Sequence, residues 1–285
     1  MGKQSFKKLV ETSDDKFSIF MDKNTLAESN ISVADFLDLI NIFLDDEQKA
    51  LLVESEHINN SSSYIKTSII SSISDDTIKL GLLSNSNITS DFENWHIKDL
   101  IESLNENSKM QILLDSNFID KYKMEGYEIS DIISRFTDEN KLYLLSNRSL
   151  IEEQLQLKDF KIATIISSLQ NEESKLNMID NYSFSKYIIK DIINTFSDDS
   201  IKNVVLENKY DFNNYDMTSL ISSMDVNFIS DFISENKEFL LQNDISPYNI
   251  VNYFDTEKQL NFMEKLEDSS LSLRRKETNS SDLQH

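Results

Sequence analysis

The chain has 285 residues, with three Gly, one Pro, no Cys and a formal net charge of −22. Without cysteine there is no disulfide framework, thiolate nucleophile or zinc–thiolate site. With so few Gly and Pro it lacks the turn residues that sandwiches, barrels and doubly wound sheets need. The acidic balance opposes nucleic-acid phosphates and anionic membrane surfaces; it fits basic protein partners or solubility alone.

The opening MGKQSFKKLVETSDDKF has no apolar signal-peptide core, and Phe6 stands where an N-myristoylation signal needs Ser or Thr. No later apolar run approaches the roughly 18 residues of a spanning helix. A cytoplasmic protein without membrane insertion is expected. Phe6, Leu9 and Val10 mark the N-terminal end as the expected place for dimerisation, although the sequence leaves the oligomeric state open.

From here an apolar doublet recurs about every 30 residues, the signature of a repeat architecture. Its second residues are Val10, Ile40, Ile70, Ile101, Ile133, Ile166, Ile193, Ile221 and Val251. Each anchor sits in a stripe such as Phe36, Leu39, Ile40 and Phe43, or Ile129, Ile132, Ile133 and Phe136. The same pattern returns at Ile162–Leu169, Ile189–Phe196, Met217–Met224 and Pro247–Phe254. Positions i, i+3, i+4 and i+7 share one face of an α-helix, whereas a strand would alternate.

After each stripe comes an acidic phrase: LDDE, SDDT, NENS, TDEN, NEES, SDDS or DTE. Such residues cap a helix start and meet the positive end of its dipole. A Lys follows three or four places on, as in Asp45/Lys49, Asp75/Lys79, Asp138/Lys141 and Glu172/Lys175, and is read as an intrahelical partner. The second helix closes with Leu51-Leu52, Leu82-Leu83, Leu113-Leu114, Leu144-Leu145 or Val204-Val205. Asn then follows, at Asn24, Asn85, Asn117, Asn147, Asn181, Asn208 and Asn236, and is expected to supply left-handed C-caps in place of Gly. Ser246-Pro247 reads as N-cap and first helical residue. The linkers 86–94, 118–126 and 148–159 are the longest, and Leu150, Ile151 and Leu155 predict an extra helical turn in the last.

The fold expected is therefore all-α: an α-solenoid of about nine tandem helical hairpins with a period near 30 residues, over residues 1–267. The signature residues of tetratricopeptide, ankyrin and HEAT-like repeats are absent. Residues 268–285 read as a disordered polar tail. This short, Ser-rich end with Arg274, Arg275 and Lys276 resembles in composition the C-terminal tails of bacterial effectors delivered into host cells by type IV secretion. The resemblance implies an alternative life as a translocated effector.

Six residues before the anchor, six consecutive repeats carry a ring: Tyr64, Trp95, Tyr127, Phe160, Tyr187 and Tyr215. One reading wedges these rings between neighbouring hairpins as hydrophobic staples. The other lines a groove with them for a peptide or extended ligand. His57, His96 and His285 share no ligand spacing, and the SDD phrases and DFNNYD lack the Gly of a calcium loop. The nucleophile elbow, phosphate loop and dinucleotide fingerprint all need missing glycines. No metal, cofactor or catalytic activity is expected. The function these features favour is a non-catalytic protein-binding scaffold for a basic or extended partner. The alternatives are a secreted effector module, the repeat domain of a larger enzyme, and an RNA-binding helical array, the last disfavoured by charge.

Overall fold

The computed structural model describes residues 2–262; the tail expected at 268–285 lies outside them. Among the described residues the chain is all-helical, with no strand. No helix among them is long and apolar enough to cross a membrane. They form two compact units. The first runs to Phe136 and adds Ser146–Leu157; the second joins Thr137–Leu145 to the chain from Lys158 onward.

The first unit contains α1 (Lys3–Thr12), α2 (Lys16–Met21), α3 (Lys23–Ser29), α4 (Val33–Phe43), α5 (Asp46–Glu54), α6 (Glu56–Asn59) and α7 (Ser63–Ser71). It continues with α8 (Asp76–Ser84), α9 (Ser86–Thr89), α10 (Asn94–Glu102), α11 (Glu106–Leu113), α12 (Phe118–Tyr122) and α13 (Gly126–Ser134). A π-helix at Ser149–Gln154 also belongs to it. The second unit holds α14 (Asp138–Ser146) up to Leu145, then α15 (Asp159–Ser167), α16 (Glu172–Asn181), α17 (Lys186–Ile193) and α18 (Asp198–Glu207). It ends with α19 (Asn214–Ser223), α20 (Val226–Glu235), α21 (Lys237–Gln242) and α22 (Pro247–Val251).

The stripes make the core. Val10, Ile40, Ile70, Ile101, Ile133, Ile166, Ile193 and Ile221 are all completely buried. The ninth anchor is corrected: Val251 is half-buried, and of its doublet only Ile250 is completely buried, at the end of the short helix α22. Phe6 and Val10 are buried within the first unit, Phe6 edge-on to Phe20 with ring centres 5.8 Å apart. Of the three N-terminal residues expected at a dimer contact, only Leu9 is exposed.

The acidic phrases cap as expected. Asp45 accepts from the Gln48 amide in a capping box, Asp75 from Thr77 and Ile78, Asn105 from Ser108, and Asn171 from Ser174. Ser246 caps α22 with Pro247 at its start. The asparagines behave differently. Of the seven expected, only Asn208 is a left-handed C-cap, at φ 45°; a second left-handed Asn cap falls at Asn30, after α3. Asn85 has extended backbone and its side chain caps α9, and Asn147 accepts from the Leu150 amide at the start of the π-helix. A short helix follows at once in these linkers, so the Asn satisfies the next helix's amides instead of ending the last. The π-helix buries Leu150, Ile151 and Leu155, and Gln154 Nε2 ties it to the Leu113 and Asp115 carbonyls at 3.2 and 2.9 Å.

The lysines after the acidic phrases do not point along their own helices into solvent. Lys49, Lys79, Lys141 and Lys175 are buried, and each ammonium donates to the carbonyl end of the next stripe helix. Lys49 reaches Ser72 O at 3.0 Å, Lys79 reaches Ser103 O at 2.8 Å, and Lys141 reaches Ser168 O at 2.7 Å. Lys175 reaches Thr195 O at 3.3 Å and Thr195 Oγ1 at 2.9 Å. The acid three residues earlier grips the turn that follows the same carbonyls. Asp46 accepts from the Ser74 and Asp75 amides, Asp76 from Asn105, Asp138 from Gln170 and Asn171, and Glu172 from Ser197. A cation therefore meets the negative end of one helix while an anion meets the free amides at the start of another.

The second-helix doublets Leu82-Leu83, Leu144-Leu145 and Val204-Val205 are buried as read, and this register corrects the other two. The buried pair lies three and four residues after the Lys: Leu52-Val53, Leu82-Leu83, Leu144-Leu145 and Met178-Ile179. Leu51 and Leu114 are exposed. In α11 the pair is Ile112-Leu113, although Lys109 there is half-buried and its ammonium makes no hydrogen bond among the described residues. In α18 the Lys position is Ile201, and Lys258 supplies the ammonium instead, donating to Ser222 O and Met224 O at 2.6 Å each.

The clamp predicts an acid response. Burial pushes the Glu172 carboxyl up, but hydrogen bonds from Ser200 and Ser197 and the charge of Lys175 outweigh it and hold the group below its ordinary 4.5. A carboxyl with a depressed folded-state pKa stabilises above its unfolded value and loses that contribution as pH falls through the folded one. Glu172→Gln is expected to cost stability at pH 7, with the gap to the parent closing below pH 4.5. Urea unfolding at pH 7 and at about pH 3 checks this; a gap that stays constant refutes the linkage.

Candidate functional site

Each ring of the aromatic column is the second residue of its helix: Tyr64 in α7, Trp95 in α10, Tyr127 in α13, Phe160 in α15, Tyr187 in α17 and Tyr215 in α19. All six are exposed, from 48% for Trp95 to 63% for Tyr215. This overturns the reading that wedges them between helices. The geometry explains why: six residues at about 100° each put the ring about 120° from the anchor, off the buried face. That rotation was available from the spacing.

In the first unit, Trp95 stacks on His96 with ring centres 3.5 Å apart and donates its indole N–H to Glu93. Tyr127 stands beside Glu128 and Glu125, and the Glu128 charge is the main cause that pushes its hydroxyl pKa up. Below these rings lies a four-member ion network on α10 and α13. Lys98 pairs with Glu102 at 2.9 Å and Asp131 at 2.8 Å, and Arg135 pairs with the same two acids at 3.2 and 3.1 Å.

In the second unit the rings touch. Phe160 meets Tyr187 edge-on at 6.4 Å. The buried ammonium of Lys190 lies 5.5 Å from both the Tyr187 and Tyr215 rings and pairs with Asp216 at 3.1 Å. Tyr215 then meets Tyr253 edge-on at 5.7 Å. Four rings and one cation form a continuous row, held by cation–π and edge contacts. Burial and a hydrogen bond with Tyr215 push the Tyr253 hydroxyl up to about 12. A fixed offset from the anchor misses Tyr253, because it enters the row from beyond the other end of its helix.

Of the three histidines, His57 and His96 lie among the described residues, and both are engaged. His57 contacts Ser55 Oγ and Phe20 O at 3.2 Å each, and His96 Nδ1 accepts from the Glu93 amide at 3.1 Å. Among the described residues no group of three metal-ligating side chains converges. The sequence matches no protein-family model and resembles no curated protein.

Proposed function

We propose that the chain is a non-catalytic protein-binding scaffold. In this reading about nine helix pairs in all, with a period near 30 residues, stack within their units as an α-solenoid, and an extended, basic protein segment lies along the exposed rings of a unit. The observation that carries the proposal is the exposure of these rings. Each unit leaves three of them about half-exposed at the same helix position, and exposed Tyr and Trp are the side chains that give most to protein interfaces. The net charge of −22 supports a basic partner through electrostatic steering.

The test is affinity capture from lysate at low and high salt, with the parent chain and with a Tyr64→Ser/Tyr127→Ser/Phe160→Ser variant checked for folding by circular dichroism. The parent is expected to hold a specific basic protein at low salt, and to lose it at high salt. The folded variant is expected to lose it at both. Capture that ignores the three substitutions rejects the row as the binding surface.

A further inference from the structure

Beside Tyr215 and Tyr253, at the end of the second unit's row, the chain forms a hollow of about 290 Å³. We infer that this hollow is a seat for an arginine side chain of a bound, extended protein segment; the inference rests on the scaffold reading and gives its partner's chemistry. The volume falls at the lower edge of the roughly 300–1,000 Å³ of drug-sized ligand pockets, which suits one long side chain.

The lining is rich in acceptors and π faces. The Tyr215 and Tyr253 rings stand edge-to-face and are both exposed. Asp244 also lines the hollow, and its carboxylate makes no ion pair or hydrogen bond among the described residues. The side-chain amides of Asn214, Asn249 and Asn252 line it as well, and they too make no hydrogen bond there. Asp216, by contrast, is already satisfied by Lys190. The hollow thus offers one uncompensated negative charge, amide oxygens and two aromatic rings.

A planar cation with in-plane donors uses all of these at once. A guanidinium can stack on a ring while its fork reaches a carboxylate and amide oxygens. An ammonium is a strongly hydrated point charge that uses the rings less well. The backbone presents Asp244 deliberately: it is left-handed at φ 55°, and the next residue, Ile245, is buried and donates to Leu240 O at 2.9 Å. A neutral sugar would also suit rings and amides, but it would leave the Asp244 charge unused.

The full chain is titrated with a fluorescein-labelled arginine-rich peptide, a lysine peptide of equal length and charge, and a neutral oligosaccharide. The arginine peptide is expected to bind about tenfold more tightly than the lysine peptide. Asp244→Asn removes the charge but tolerates the left-handed backbone, and is expected to weaken the arginine peptide about tenfold. Tyr253→Leu is expected to erase the preference for arginine over lysine. Equal affinities for the two peptides, no effect of Asp244→Asn, or binding of the oligosaccharide alone overturns the seat. If the arginine peptide ignores Asp244→Asn yet is lost in the Tyr64/Tyr127/Phe160 variant, the seat fails and the scaffold reading stands. If nothing binds the parent and lysate capture is also empty, the scaffold reading fails with it.

Discussion

Lys141→Met is expected to lower stability by about 2–3 kcal/mol. The methionine keeps most of the apolar stem, so packing is little changed. What goes is the ammonium that reaches Ser168 O at 2.7 Å and lies 3.5 Å from Asp138. The Ser168 carbonyl loses a charged donor at a helix end, and the partly buried Asp138 carboxylate loses its counter-charge. An unpaired buried partner costs more than the pair was worth, which sets the magnitude. The check is hydrogen exchange at the Gln170 and Asn171 amides, both of which Asp138 accepts. Faster exchange there, with urea unfolding displaced by the stated amount, is the expected result. A shift under about 0.5 kcal/mol, the level of an ordinary surface substitution, would make the lysine a passive neighbour.

Ile193→Ala should cost still more, about 2–5 kcal/mol. Ile193 is completely buried on the stripe of α17, among Ile189, Ile192 and Phe196. Removing its distal carbons loses their transfer energy and leaves a cavity that neighbours on α15 and α19 fill only in part. The two units make a single two-state transition an unsafe assumption, so the loss is read from a probe in the second unit. Slowed exchange of the α17 amides in the parent, accelerated in the variant, is the appropriate readout. The exposed Tyr64 gives the contrast: truncating a ring that is 57% exposed is expected to move stability by no more than about 0.5 kcal/mol.

The difference between anchor and ring shows what could be read from the sequence. The anchors were legible because hydrophobic spacing encodes a face, and eight of nine lie fully buried as predicted. The caps were legible because Ser, Asp and Asn before a helix have one dominant use. The lysines were legible only in part: Asp138 and Lys141 do pair at 3.5 Å along their helix, as read. Each buried ammonium also meets a backbone carbonyl 20 to 27 residues away, and a carbonyl leaves no letter in the sequence. The asparagines misled for a related reason. The same side chain caps the next helix when one begins at once, and short helices such as α9 carry too little periodicity to be seen. The aromatic column was found as a pattern, but its exposure needed the helical rotation to be worked out. The hollow beside Tyr215 was not legible at all, since it joins residues from α19 and from the turn and helix around Asp244 and Asn252.

The acid–lysine clamp has a consequence for how such a chain can change its length. Four helix pairs carry a grip, an acid and a lysine, and each grip meets a socket, a carbonyl end and a turn amide. Asp138/Lys141 and Glu172/Lys175 grip sockets at Ser168–Asn171 and Thr195–Ser197 that are built from the same backbone atoms. Because the shared part of the socket is main chain, with Thr195, Ser197 and Ser200 hydroxyls added only in the second, it is indifferent to most side-chain drift. A duplication or loss of one whole pair, copied in frame, brings a grip to a socket it already fits. The joint between two gripped pairs is thereby inherited along with each part, without a new interface having to be invented.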